Sequence, residues 1–296
     1  MARPAILVTG GTGQVGTGIA RANRGRFDLA LPTRAELDLA SPDRIAAMIG
    51  ARDWTAVINC AAYTAVDRAE EDRETAFAIN ATAAAALAEA AAKRDIPFLH
   101  VSTDYVFDGA KAAPYVEQDP VAPLGVYGAS KETGERVVRA AHPRALILRT
   151  AWVVSPWGHN FVKTMRRLGR ERDLLRVVDD QHGCPTGAID IAETLLTLAG
   201  RLIADDATPT GTYHFVNAGE ASWYDLARAI FEFEAKAGRP VPRLEPIPTS
   251  AYPTPARRPA NSRLSTAKIA ANHGVVPRNW RAMLDELLAA LEEQDA

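Results

Sequence analysis

An α/β fold is what this sequence predicts: a doubly wound parallel sheet with a smaller C-terminal lobe. Three observations predict it. Short, continuously apolar runs alternate with helical segments up to about residue 150, the pattern of a parallel sheet covered by helices on both faces. The first run leads straight into a glycine-rich turn, Thr9-Gly10-Gly11-Thr12-Gly13-Gln14-Val15-Gly16. Beyond residue 150 the alternation loosens and prolines accumulate, so the remainder reads as a second body beside the sheet.

Ala5–Val8 is the first strand, apolar throughout and therefore buried on both faces. Glycines at 10, 13 and 16 let the chain turn sharply, approach a pyrophosphate closely and pack a helix tightly on the sheet. The helix from about Gln14 to Asn23 would aim its free N–H groups at that pyrophosphate. A merely flexible turn is the alternative, but a place between strand and helix favours a dinucleotide site and a Rossmann-like sheet. Phe27–Leu31 is the second strand. A carboxylate just past it, ~20 residues after the glycines, would accept from the ribose 2′-hydroxyl of NAD. The sequence there is Pro32-Thr33-Arg34. Arg34 can pair with a 2′-phosphate, which favours NADP with NAD possible, or can be an exposed loop arginine. Asp38, before Leu39, can accept from the adenine amino group or cap the helix signalled by Ser41-Pro42.

Ala56–Ala62 is a third buried strand whose small last residues leave room for a ligand, with Tyr63 and Thr64 placed to line it. One long helix is expected from about Asp67 to Lys93, with Phe77, Ile79, Ala83, Leu87 and Ala91 as its core face. Pro97–Val101 is the fourth strand, with His100 as a packed core residue. Ser102-Thr103-Asp104-Tyr105 stands at its C-terminal end, where α/β sheets hold ligands. Val106 to Pro123 reads as a surface loop, and Leu124–Ala141 as the helix carrying Tyr127 and Lys131. Arg144–Arg149 is the fifth strand, followed by Thr150-Ala151-Trp152.

Farther on, helices are expected at Phe161–Arg172, Ile189–Leu202, Trp223–Ala237 and Trp280–Glu293, and strands at Leu174–Val178 and Thr212–Asn217. The proline-rich piece Arg239–Pro259 is expected to hold no regular structure. The organisation predicted is a nucleotide-binding domain of residues 1–150 and about 174–217, with about 151–173 and 218–296 forming a substrate-binding lobe.

The chain has 296 residues and a net charge of −2, which gives no electrostatic footprint for nucleic acid or a membrane surface. Cys60 and Cys184 share no metal spacing and fit a reducing compartment. Ala5–Val8 is too short for the core of a signal peptide, and no run approaches the ~18 apolar residues of a membrane span. A cytoplasmic protein is expected.

Tyr127 lies four residues before Lys131, so both fall on one helix face. That pair suits carbonyl reduction: hydride arriving on carbon leaves negative charge on oxygen, and a phenol can supply the proton. Free tyrosine titrates near 10. A nearby ammonium and an oxidised nicotinamide cation both favour the phenolate. A drop of about two to three units, roughly 3–4 kcal/mol, would bring it into range. Thr103 can donate to the same carbonyl oxygen. A surface tyrosine and lysine on an amphipathic helix is the alternative; the glycine turn and the strand end at Ser102-Thr103 weigh against it.

Further segments are Ala61-Ala62-Tyr63-Thr64-Ala65-Val66-Asp67, Ser102-Thr103-Asp104-Tyr105-Val106-Phe107, Arg149-Thr150-Ala151-Trp152-Val153, Asp180-Gln181-His182-Gly183-Cys184-Pro185-Thr186-Gly187 and Ser250–Pro259. With the glycine turn and Tyr127–Lys131, they make the chain resemble the dTDP-4-dehydrorhamnose reductase family of extended short-chain dehydrogenases/reductases, nearly end to end. The resemblance implies NAD(P)H-dependent reduction of the 4-keto group of dTDP-4-dehydro-β-L-rhamnose. It gives Tyr127 the proton, Lys131 the nicotinamide ribose and the lowering of the tyrosine's pKa, and Thr103 the completion of the triad. It puts Gly13, Gln14, Val15, Asp38, Leu39, Ala62, Tyr63 and Thr64 at the cofactor, and Asp104 and Trp152 at the substrate, although Trp152 can also be a core residue. Arg257, Arg258, Asn261 and Ser262 would bind the substrate's diphosphate or nucleotide, or form a solvated basic loop.

Some members of the family are metal-bridged dimers that use a glutamate two residues after the last glycine of the turn. Gly18 stands there, so no metal is expected, and a monomer or homodimer is left open. The expected partner is a small nucleotide sugar, with no nucleic acid and no membrane. Two other readings stay in view. One is another nucleotide-sugar epimerase or reductase of this fold; a 4,6-dehydratase would carry Thr-Asp-Glu where this chain has Thr103-Asp104-Tyr105. The other is a non-catalytic regulatory subunit of methionine adenosyltransferase, which an intact Thr103/Tyr127/Lys131 set argues against.

Overall fold

The computed structural model describes residues 3–295. Its strands in chain order are β1 (Ala5–Thr9), β2 (Asp28–Ala30), β3 (Ala56–Asn59), β4 (Phe98–Thr103), β5 (Leu146–Thr150), β6 (Val153–Val154), β7 (Leu174–Val178), β8 (His182–Gly183), β9 (Thr186–Gly187), β10 (Gly211–His214), β11 (Ala221–Ser222) and β12 (Arg243–Ile247). The helices are α1 (Gln14–Ala22), α2 (Pro42–Gly50), α3 (Val66–Ala69), α4 (Arg73–Phe77), α5 (Ala83–Ala92), α6 (Val126–Ala141), α7 (Phe161–Glu171), α8 (Ala188–Ala204), α9 (Trp223–Lys236), α10 (Ala267–His273) and α11 (Trp280–Asp295).

Six strands form one parallel sheet in the order β10-β5-β4-β3-β1-β2. The expected doubly wound sheet is thus present. Its strands are apolar on both faces because alternate residues enter different cores. Ile6, Val8, Ile58, Leu99 and Leu148 pack with Ile19 of α1 and Ile191, Leu195 and Leu198 of α8. Leu7, Val57, Phe98 and Ile147 pack on the opposite face with Ile45 of α2, Leu87 of α5 and Val138 of α6. The chain leaves β1 toward β2 and returns to β3 on β1's other side. The crevice beyond the carboxyl ends of β1 and β3 is therefore the switch point where such sheets bind ligands.

A third core belongs to the second lobe, where Val162, Met165, Leu175, Val177, Leu226, Ile230, Leu284 and Leu288 gather. Two expectations change here. Leu174–Val178 is a strand, but it pairs with β12 outside the six-stranded sheet, so this stretch leaves the predicted nucleotide-binding segment 174–217. Its partner β12 lies inside the proline-rich piece expected to be irregular. Pro246 is tolerated because β12 has β7 as its one strand partner, and an edge strand can forgo a donor.

The expected helix from Asp67 to Lys93 is broken. Asp72 leaves helical geometry at φ −114° and ψ 49°. The helix resumes at Arg73 and carries a wide π-turn at Ala78–Thr82. That turn frees Asn80: its amide group bonds the Tyr63 carbonyl at 3.1 Å and the Ser130 hydroxyl at 2.9 Å, and its oxygen accepts from the Tyr63 N–H at 2.8 Å. By length and mean hydropathy (1.2) Arg73–Ala92 could span a bilayer; Ala83, Ala84, Leu87, Ala88 and Ala91 are instead buried against the sheet. The predicted surface loop 106–123 is also anchored. Val106, Phe107 and Tyr115 are buried with Ala151, Cys184, Val216 and Leu264.

Candidate active site

The glycine turn closes on itself through the Gly13 N–H donating to the Gly10 carbonyl at 3.0 Å. Gly10 sits at φ +72°, and a Cβ there would meet the Ala61 backbone nitrogen at 2.6 Å. Only glycine serves both demands. Helix α1 starts at Gln14 with no side chain capping its first turn, so its N–H groups face the crevice unshielded. A cradle this close-fitting, ending on an uncapped helix, fits the pyrophosphate of a dinucleotide.

This turn is one wall of a cleft of about 930 Å³. Gly10, Gly13, Gln14, Val15, Gly16, Arg34, Asp38, Leu39, Ala62, Thr64, Thr103, Asp104, Tyr127, Lys131 and Trp152 all line it. Arg34 is exposed at the rim and pairs with no carboxylate among the described residues. Asp38 does not cap α2; Ser41 does, accepting from the Arg44 N–H. The Asp38 carboxylate accepts instead from the Ala40 N–H at 3.0 Å. Gln14 lines the cleft, and its side-chain oxygen accepts from Ser155 at 2.7 Å and Asn160 at 3.0 Å, tying α1 to the second lobe.

The opposite wall is built by β4 and α6. Lys131 is 2% exposed, and its Nζ donates to the Val101 carbonyl at 2.8 Å. The Tyr127 ring meets Tyr105 edge-on at 5.4 Å, and Thr103 is the neighbour that draws its phenol pKa down. The sequence led us to expect a depressed tyrosine. In the protein itself burial pushes the Tyr127 phenol up, and Thr103 offsets this only in part. Lys131 supplies no counterweight, being spent on the Val101 carbonyl and itself drawn down to about 8 by burial, against the pull of Glu135. A phenol that holds its proton is the form a proton donor needs.

Asp104 is 3% exposed and also lines the cleft. One carboxylate oxygen accepts from Thr103 at 3.0 Å, and the other has no partner. Burial raises its pKa to about 6, against the pull of Ser262, Thr103 and the Tyr105 backbone nearby. A buried polar oxygen without a partner is rare in a folded protein. It carries a stability cost wherever the carboxylate is charged. Because the folded pKa lies above the unfolded 3.8, the penalty grows as pH rises from about 4 to 6 and is full above that. Asp104→Asn is therefore expected to stabilise the protein by about 1–3 kcal/mol at neutral pH and to lose that gain below pH ~4. Thermal melts across that range check it; a gain independent of pH would refute it.

Four of the predicted residues do not line this cleft. The Tyr63 side chain turns away, its hydroxyl donating to Asp72 at 3.0 Å, because Asn80 fixes its backbone. Asn261 is buried and fully used, donating to the Lys111 and Ala113 carbonyls and accepting from Arg263; it fastens the 106–123 loop. Arg257 is exposed and outside the cleft. Arg258 donates to the Tyr105 hydroxyl at 2.9 Å and the Asp67 carboxylate at 2.7 Å, and lines a neighbouring cavity of about 720 Å³. Tyr105 borders both spaces.

That second cavity draws Phe161, Arg172, Arg176, Gln181, Trp223 and Tyr252 from separate stretches. Sequence reasoning singled out none of these as lining a cavity, though Gln181 and Tyr252 fell inside quoted motifs. Trp152, held at φ +48°, stacks face to face on Trp223 at 3.5 Å and so joins the two lobes beside the cleft. Gly18 has a physical reason of its own: a Cβ there would meet the Ala188 carbonyl at 2.7 Å. That position is closed by α8 packing on α1.

Residues 4–293 match the RmlD substrate binding domain family. The chain is 43% identical to the dTDP-4-dehydrorhamnose reductase of Aggregatibacter actinomycetemcomitans over 292 residues, covering 97% of this chain and 99% of that one. It is 41% identical to the dTDP-4-dehydrorhamnose reductase of Escherichia coli K12 over 293 residues, 97% of each chain. Among solved structures, the Bacillus anthracis dTDP-4-dehydrorhamnose reductase in complex with NADP superposes with a TM-score of 0.90 at 33% identity, covering 97% of this chain and 99% of that one. A Thermus thermophilus UDP-glucose 4-epimerase bound to NAD, 22% identical with a TM-score of 0.78, shares the fold.

Proposed function

The chain belongs to the dTDP-4-dehydrorhamnose reductase family of NAD(P)H-dependent oxidoreductases, and from that premise we propose that it reduces the 4-keto group of dTDP-4-dehydro-β-L-rhamnose, with Tyr127 as proton donor. The observation that carries the reading is convergence. Tyr127, Thr103 and Lys131 stand on one wall of the cleft, opposite the uncapped start of α1 and its glycine cradle.

A reduced nicotinamide bound in that cleft supplies the hydride. The residues do the rest. The α1 N-terminus and Gly10–Gly16 hold the pyrophosphate, Arg34 reads a 2′-phosphate, and Lys131 holds the nicotinamide ribose. Thr103 and Tyr127 direct hydrogen-bond donors at the ketone oxygen, where charge develops as the carbonyl is reduced, and Tyr127 gives up its phenolic proton to it. Asp104 accepts from a sugar hydroxyl with its unpartnered oxygen. The second cavity takes the nucleotide end: Tyr252 offers a face for the base, and Arg172 and Arg176, beside Arg258, offer forks for the diphosphate.

The test is loss of NADPH absorbance with purified protein and enzymatically generated dTDP-4-dehydro-L-rhamnose, NADH run in parallel and dTDP-rhamnose identified as product. Oxidation matched by that product supports the reading; folded protein that binds the cofactor and oxidises none refutes it. In the same assay Arg34→Ala is expected to raise the KM for NADPH about tenfold, the loss of one charge-assisted phosphate contact of ~1.4 kcal/mol, and to leave that for NADH within about twofold. Equal effects on both would remove Arg34 from the 2′-phosphate.

A further inference from the structure

Behind Lys131 runs a buried polar row that the reading above does not use. Thr9, Asn59 and His100 are in register on β1, β3 and β4 and are 1%, 2% and 0% exposed. The Thr9 hydroxyl donates to Asn59 Oδ1 at 2.6 Å, Asn59 Nδ2 lies 3.0 Å from His100 Nδ1, and His100 Nε2 lies 3.4 Å from Lys131 Nζ.

The direction of every bond in this row follows from one backbone group. The Ala61 N–H donates to Asn59 Oδ1 at 3.1 Å, and a backbone N–H can do nothing else. Oδ1 is thereby fixed as the oxygen, so the amide cannot be flipped. The Nδ2 amino group must then face His100 Nδ1, which has to accept. A neutral imidazole that accepts at Nδ1 carries its proton on Nε2. His100 therefore points an N–H donor at Lys131. An ammonium has only hydrogens to offer in return; a neutral amine has a lone pair that accepts.

We propose that the Ala61–Asn59–His100 chain, fixed in polarity by the Ala61 N–H, presents His100 Nε2–H to Lys131 and so poises the catalytic amine toward its neutral form. His100 is a positioning residue: it acts through Lys131. Hydrogen bonding to the neutral form of a group disfavours its charged form. The other groups facing Lys131 are few. Glu135, one turn along α6, favours the ammonium, but its carboxylate is engaged by Arg149. The Cys60 thiol at the end of β3 stays protonated, burial pushing it up to about 12. Tyr127, on the same helix, is neutral. His100 cannot itself take a second proton, since burial holds it well below the usual imidazole range. The resting wall of the cleft thus pairs a neutral phenol with an amine that sheds its proton readily.

The proposal rests on Lys131 serving a nicotinamide cleft, but its first test does not. In ¹⁵N-histidine-labelled protein, long-range proton–nitrogen spectra distinguish the two imidazole tautomers, and His100→Gln assigns the signal. His100 is expected in the neutral Nε2–H form from pH 6 to 9; an Nδ1–H tautomer or an imidazolium overturns the proposal whatever the chain does with nucleotides. The second test is the pH dependence of NADPH binding. The wild-type limb from Lys131 is expected at or below about 8. Asn59→Asp keeps the shape but offers His100 only acceptors. It reverses the tautomer, turns Nε2 into an acceptor for the ammonium, and should move the limb up by about one pH unit or more, a tenfold change in proton affinity. His100→Gln, whose amide can turn its oxygen to Lys131, should move it the same way and is the deciding variant, because the aspartate's own charge would raise the limb whatever the tautomer. A structural role alone would change stability and leave the limb in place, and an unmoved limb in folded variants overturns the proposal.

Discussion

Tyr127→Phe is expected to lower turnover roughly 10²–10⁴-fold, the range a positioned general acid contributes, while NADPH affinity changes little. The substitution removes one oxygen. The ring that remains is 91% buried in the parent and keeps its edge-on contact with Tyr105, so the wall of the cleft keeps its shape. What is lost is the group that donates to the ketone oxygen as charge gathers there. Thr103 would still donate a hydrogen bond, which is why a residual rate is expected. The pH profile sharpens the test. Burial holds the parent phenol protonated beyond neutral pH, so the parent should show no alkaline-limb loss from this group between neutral pH and the ordinary phenol range near 10, and the residual rate of the variant should not acquire one. Normal turnover in Tyr127→Phe would refute Tyr127 as the donor.

How much of this was legible in the sequence follows from what each signal depends on. The sheet was legible because strands buried on both faces are written as unbroken apolar runs, and Ala5–Val8, Ala56–Ile58 and Phe98–Val101 are such runs. The glycine cradle and the Tyr127/Lys131 pair were legible because their geometry is local: one turn, and one helical turn. Contacts that depend on a distant side chain were not. Tyr63 sits where a cofactor residue was expected, yet Asn80, 17 residues on, fixes its backbone and Asp72 takes its hydroxyl. Asn261 reads as a phosphate ligand in a basic stretch until the carbonyls of Lys111 and Ala113 are seen to claim it. Strand β12 was hidden because a proline is forbidden only to a strand that must donate on that side. The second cavity was hidden because no single stretch carries it. The raised Tyr127 phenol was missed for a different reason: spacing shows which charges are near in sequence, whereas desolvation depends on the whole of the surrounding fold.

The largest stability effect is expected at the Glu135–Arg149 pair. Arg149 sits at the end of β5 and forks both nitrogens onto the Glu135 carboxylate of α6, at 2.8 and 2.7 Å. Side-chain exposure is 3% and 0%. Ser102 donates to the same carboxylate at 2.6 Å, and the arginine plane lies over Phe107 at 5.0 Å. Burial raises the Glu135 pKa, but the Arg149 bond and charge outweigh it, and the net direction is down. A depressed carboxylate contributes stability that is present above the unfolded value near 4.5 and lost as pH falls through the folded one. Glu135→Leu would strand a buried guanidinium, and Arg149→Met would leave the buried carboxylate with only Ser102 and the partly exposed Arg139, 3.2 Å away. The first is expected to cost about 3–5 kcal/mol, because an unpaired charge is left without water, and the second somewhat less. The double variant removes both charges and should recover most of that loss, since the desolvation penalty disappears together with the attraction. Urea unfolding of the two singles and the double gives the coupling directly, provided the slope with denaturant stays constant. Single variants each costing under ~1 kcal/mol would show that water reaches the pair. Strict additivity would show that the two charges do not depend on each other, and the buried pair could then no longer be counted as what fastens α6, with Tyr127 and Lys131 on it, to the carboxyl edge of the sheet.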